Sequence, residues 1–138
     1  MGYERALADF GMEISEDLII DDAMDQESGY EACRRLVEYM KGEPFSILFY
    51  CDYVASGVLM YAGESGLKLC KDLAIMGIDG ASLFSYFYPG LTSVHLPQFE
   101  LGMRGAEILL DILENGAKPE TDGTRVVFEP KLMVKGSA

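Results

Sequence analysis

An α/β fold, a doubly wound and mostly parallel sheet, is predicted by three features of this sequence. Short apolar runs alternate along the chain with stretches whose apolar residues recur at helical spacing. The connections between them are short. The runs Phe45 to Cys51 and Leu73 to Ile78 are continuously apolar, as in strands covered on both faces.

Taken in order, Tyr3, Ala6, Leu7 and Phe10 share one face of a helix that Gly11 can end. Asp17 to Ile20, "DLII", is short, rich in β-branched residues and followed by Asp21-Asp22, so it reads as a strand. Asp25 can cap the next helix, whose buried face is Cys33, Leu36, Val37 and Met40, with Lys41-Gly42 as its end. Pro44 introduces the strand "FSILFYC". Asp52 follows as the expected N-cap of a helix with Ala55, Val58, Leu59 and Ala62 inside and Gly66 as its stop. Leu73 to Ile78 and Leu91 to Leu96 are the next strands. Ala106, Leu109, Leu110 and Leu113 define a last helix, stopped by Asn115-Gly116. "RVVFEPKLMVK" closes the chain as extended structure, with Pro130 forcing an edge or a bulge.

At 138 residues the chain can bury one real core, and its 49% hydrophobic content is that of an ordinary globular domain. Lys and Arg number 11 against 23 acidic residues, a formal charge of −12. Such a surface repels phosphate backbones, so direct contact with DNA is not expected. Cys33, Cys51 and Cys70 are odd in number with no C-x-x-C pair, which suits reduced thiols and a cytoplasmic location. His95 is the single histidine and has no partner at metal-ligand spacing, so no metal and no other cofactor is expected. No signal peptide and no run of membrane-spanning length is found.

In doubly wound sheets ligands sit beyond the carboxyl ends of the strands. Asp21, Asp22, Asp52 and Asp79 all fall at such ends and are expected to converge on one crevice. Asp52 reads first as a helix cap, and Asp21 and Asp22 as loop or cap residues. Asp79, followed by Gly80-Ala81-Ser82, has no obvious helix to cap and is the best ligand candidate. "LIIDD" and "LFYCD" also suggest a phosphoacceptor receiver domain, with Asp21 and Asp22 on magnesium and Asp52 phosphorylated. The Ser or Thr and the Lys that such a domain needs after its later strands are missing from "MGIDG" and "SVHLP". There is no G-x-S-x-G elbow and no phosphate loop, so no catalytic residues are assigned and an enzyme is not expected.

The ordered blocks "GYERALADFGM", "MDQESGYEACRRL", "PFSILFYCDYVASGVLMYAGESGLKLCKDLAIMGIDG", "YPGLTSVHLPQFELGMRGAEILLDIL" and "EPKLMVKGS" resemble the lactose-repressor (LacI/GalR) family of transcription regulators over essentially the whole chain. The resemblance implies a periplasmic-binding-protein-like (flavodoxin-like) core with two subdomains and a small-molecule effector between them. It implies that 1–138 is a single partial effector-binding domain. In it 1–97 and 124–138 form the C-terminal subdomain, and 98–117 is a crossover helix that belongs to the N-terminal one. The helix-turn-helix, most of the first subdomain, and the helix and strand expected ahead of Gly2 would lie outside this sequence. Operator DNA would be bound only through that DNA-binding domain. The resemblance places effector contacts at Asp79, at Cys51 where the family often has Asn, and at Met24 where it often has an aromatic. A sugar or a nucleobase-like compound would be the effector. Homodimerisation is implied for the aromatic segment, with Phe84, Tyr86 and Phe87, beside Tyr88, as interface residues. A periplasmic sugar-binding protein of a transporter shares the fold and is the alternative.

Overall fold

The computed structural model describes residues 2–80, 89–115 and 125–138. Helix α1 (Gly2–Asp9) buries no residue and runs into Gly11, in the left-handed region at φ 68°. Helix α2 (Gln26–Met40) opens with a complete capping box. The Asp25 carboxylate accepts the Ser28 N–H at 2.9 Å, and the Ser28 hydroxyl oxygen accepts the Asp25 N–H at 2.9 Å. It ends where Lys41 (φ 51°) and Gly42 (φ 93°) turn left-handed. Helix α3 (Asp52–Ser65) ends on left-handed Gly66. The two helices cross closely. A Cβ on Gly57 would run into the Gln26 carbonyl, and one on Gly29 into that of Val54. Cys33, Ala55, Val58, Leu73 and Ile75 are the fully buried centre between these helices and the sheet.

The sheet is ordered β1 (Phe45–Leu48), β2 (Leu73–Asp79), β3 (Thr92–His95), β4 (Lys131–Met133). The first three strands are parallel, with Phe45 opposite Leu73 and Met76 opposite Thr92; β4 adds antiparallel, with Ser93 opposite Met133. The α/β, mostly parallel architecture is therefore the one expected. Beyond β4 the chain end is locked in place. Buried Ser137 donates its hydroxyl to the Ile75 carbonyl and accepts the Thr92 N–H, both at 2.8 Å, while its own carbonyl accepts the Ile75 N–H. The "KGS" of the last block is thus a structural clasp.

Three expectations need correcting. "DLII" is not a strand: Glu16–Leu18 form one 3₁₀ turn and Ile19 is exposed. Among the described residues no strand stands beside it to exchange backbone hydrogen bonds, since β1 pairs only with β2; Ile20 packs on the core instead. Strand β1 is covered on one face only, with Ser46 and Leu48 exposed. Asp52 is not a cap but the first residue of α3, whose N-cap position is Cys51. Helix α4 (Gln98–Asn115) presents Phe99, 75% exposed, with Leu109, Leu110 and Leu113 exposed as well.

Candidate functional site

The carboxyl ends of β1 and β2 lie at the edge where α2 and α3 begin, and the backbone there leaves regular geometry. Asp79, the last residue of β2, has φ 120°, and Gly80 follows at φ 67°. Such a conformation costs an L-residue of order 1–3 kcal/mol and persists only when its surroundings hold it. Here they do. The Gly80 N–H donates to the Ser93 hydroxyl at 3.1 Å, and that hydroxyl donates to the Asp52 carboxylate at 2.8 Å. The Asp52 backbone also acts on the Asp79 carboxyl, favouring its charged form.

Asp52 can reach Ser93 because position 77 is glycine. A Cβ there would strike the Asp52 carboxylate oxygen. Asp52 is 1% exposed, yet no buried polar side-chain atom in the described structure lacks a partner. The α3 N-cap, Cys51, makes no side-chain bond to its helix. The Asp79 carboxyl is raised above the ordinary carboxylate range, first by burial and then by the negative charge of Asp52, with the Asp52 backbone pulling the other way.

Beside Asp79 stands a softer surface. Tyr50 is 54% exposed and directs its hydroxyl to the Met24 carbonyl at 3.3 Å and to the Met24 sulfur at 3.6 Å. Its phenol is pushed up, first by hydrogen bonding with Cys51, then by burial and by the charges of Cys51, Asp25 and Asp79. Of the three residues named from sequence, Met24 touches Tyr50, Cys51 follows it in the chain, and Asp79 acts on its phenol through charge. The sequence reading missed Tyr50 because it sits inside an apolar run and reads as strand. It missed Ser93 because a strand serine carries no signal of its partner. Gly77 next to Asp79 was the available clue: glycine inside a strand often marks close approach by another group.

The other aspartates do not join them. Asp22 pairs with Arg35 at 2.7 Å, which holds its carboxyl below the ordinary range. With Asp21, Glu16 and Asp17 it lines a separate depression of about 270 Å³ against Leu36 and Tyr39 of α2. The expected convergence of four aspartates therefore reduces to two, Asp52 and Asp79. A receiver arrangement has no basis, since Asp52 is buried and bonded to Ser93. Phe84, Tyr86, Phe87 and Tyr88 lie outside the described residues. Among the described residues no cluster of His, Cys, Asp and Glu is gathered to hold a metal, and no helix is long and apolar enough to cross a membrane.

A family model described as periplasmic binding protein-like domain matches residues 1–138. The chain belongs to that family. This periplasmic binding protein-like chain is 30% identical over 138 residues to the HTH-type transcriptional repressor PurR of Photobacterium profundum, and 30% identical over 137 residues to PurR of Yersinia pestis (strain Pestoides F). Each alignment takes in 99% of this chain, which spans about two-fifths of those relatives' length, 40% and 39%. Among solved structures it is similar to a transcriptional regulator CelR–cellobiose complex, with TM-score 0.87 and 28% identity over 99% of this chain and 41% of that one. It is also similar to the transcription regulator CcpA of Lactococcus lactis, with TM-score 0.85 and 27% identity over 99% of this chain and 48% of that one. These relatives are transcription regulators, and the family resemblance read from the ordered sequence blocks is the one they share.

Proposed function

We propose that this chain is the effector-sensing part of a LacI-type transcriptional regulator, with Asp79 as the central effector contact and Tyr50, Met24 and Cys51 beside it. The observation that carries the reading is the strained Asp79 backbone at the strand end, followed by Gly80 tied to Ser93. A carboxylate held there accepts hydrogen bonds from ligand hydroxyl or N–H groups. The charges of Asp25, Asp52 and Asp79 repel anions, so a neutral, donor-rich effector, a sugar or a nucleobase-like compound, suits this surface better than a phosphorylated one. The CelR relative is solved with cellobiose, which is of that chemical kind.

The reading extends to the whole regulator. Effector binding would favour one arrangement of two subdomains and so shift affinity for operator DNA, which a separate helix-turn-helix would contact. Helix 98–117 would serve the N-terminal subdomain, consistent with the bare apolar surface of α4. The regulator would act in the cytoplasm as a homodimer, with Phe84, Tyr86 and Phe87 at the interface, and would catalyse nothing.

Calorimetric titration of the chain with neutral sugars and nucleobases, beside their phosphorylated forms, tests the site. Asp79→Ala removes an ionised acceptor worth roughly 1.5–3 kcal/mol, or about ten- to over a hundredfold in affinity. Unchanged binding in that variant, or preference for the phosphorylated compounds, overturns the assignment.

A further inference from the structure

Two hydrogen bonds run inward from the residue that follows Asp79. From the Gly80 N–H the path runs to the Ser93 hydroxyl at 3.1 Å and from there to the Asp52 carboxylate at 2.8 Å. It links the end of β2, the middle of β3 and the first turn of α3. It begins at the second of two successive residues with positive φ, 120° at Asp79 and 67° at Gly80. Ser93 and Asp52 are both buried, at 3% and 1% exposure, so neither can touch a ligand in the cleft.

We infer that Asp52 and Ser93 are positioning residues for the effector site: through these two bonds they hold the Asp79–Gly80 turn in the one conformation that presents the Asp79 carboxylate. A serine hydroxyl suits the joint because it donates and accepts at once, giving its proton to Asp52 while taking the Gly80 N–H. A buried carboxylate is a costly group to keep where only packing is required, since leaving one partner unpaired there is strongly destabilising. Its placement depends on Gly77, where a Cβ would strike it. The Asp52 charge acts on the Asp79 carboxyl, the charges of Cys51, Asp25 and Asp79 act on the Tyr50 phenol, and His95 stands opposite Asp79 in the β2–β3 register. That this bonding serves effector binding rests on the function proposed above. The bonding itself does not.

The test therefore uses readouts on the chain without ligand. Amide hydrogen exchange at Gly80 and the carboxyl carbon titration of Asp79 are followed by NMR in the unaltered chain, Ser93→Ala, Ser93→Thr and Asp52→Asn. Ser93→Ala is expected to speed Gly80 exchange at least tenfold while amides in α2 keep their protection. Ser93→Thr, which keeps the hydroxyl, should restore it. Asp52→Asn should lower the Asp79 titration midpoint, because the repelling charge is gone. Unchanged Gly80 exchange in folded Ser93→Ala overturns the proposal, as does an unmoved Asp79 midpoint in Asp52→Asn. If Asp52→Asn fails to fold, the Ser93 pair alone decides: exchange that is fast in Ala and slow in Thr supports the proposal, and equal exchange sinks it. Should Gly80 and Asp79 respond as stated while Asp79→Ala leaves sugar and nucleobase titrations unchanged, the positioning by Ser93 and Asp52 stands and the effector reading falls.

Discussion

Gly77→Ala puts the smallest possible side chain where the Asp52 carboxylate lies against β2. The added methyl would overlap a carboxylate oxygen and would also press on the Asp52 carboxyl carbon at 3.0 Å and a Leu91 methyl at 3.3 Å. Asp52 cannot yield toward solvent. It is 1% exposed, is the first residue of α3 and is tied to Ser93 at 2.8 Å. Overpacking a rigid site costs about 1–3 kcal/mol. Weakening a hydrogen bond to a buried charge costs roughly 1.5–3 kcal/mol. The two overlap, because moving the carboxylate relieves the clash by breaking the bond, so about 2–4 kcal/mol is expected in total. For a chain of this length that is on the order of a 6–16 °C fall in Tm. Urea unfolding of the unaltered chain, Gly77→Ala, Ser93→Ala and the double variant is the assay. Since Gly77→Ala already disrupts the Asp52–Ser93 bond, the double variant should be more stable than the sum of the singles implies, by about 1 kcal/mol. Gly63→Ala is the control. Position 63 lies within α3 with nothing within 4 Å of a new Cβ, so alanine there should stabilise by about 0.5–1 kcal/mol. A Gly77→Ala loss below about 0.5 kcal/mol, with Gly63→Ala stabilising as stated, would refute the packing argument.

The remaining predictions concern acid, the chain-end clasp and thiol reactivity. Asp25 has its carboxyl lowered, first by the Ser28 hydroxyl and then by backbone donors. Its contribution is present above pH about 3.8, the ordinary aspartate value, and is lost as pH falls through the lower folded value. Asp79 is raised and has the opposite sign: its protonated form favours the fold, and that advantage is lost as pH rises through its folded value. Asp25→Asn keeps a capping acceptor but cannot titrate, so its stability should fall less steeply on acidification, as circular dichroism at graded pH would record. Ser137→Ala leaves the buried Thr92 N–H without its acceptor and should cost about 1–3 kcal/mol in denaturant unfolding; a neutral result would mean that the clasp is dispensable. Burial pushes the Cys33 thiol up to about 11, so at pH 8 a disulfide reagent should label exposed Cys70 readily and Cys33 only on unfolding.

Features that one short segment settles by itself were legible in the sequence. The Asp25 cap and the left-handed ends at Lys41-Gly42 and Gly66 all fall where local chemistry places them. Each depends on hydrogen bonds spanning a few residues and on φ values that only certain side chains tolerate. The order of strands and helices was legible for a similar reason, since apolar periodicity records which face each element buries. Features that depend on what stands opposite were not. "DLII" has strand composition, but a strand exists only where a neighbour takes its hydrogen bonds. At the site, Asp79 could be placed at a strand end from its position alone. That Asp52 turns inward to Ser93 instead of capping α3 depends on residues 41 positions apart. A carboxylate accepts equally well from its own helix or from across a sheet, so only the tertiary packing around Gly77 decides which.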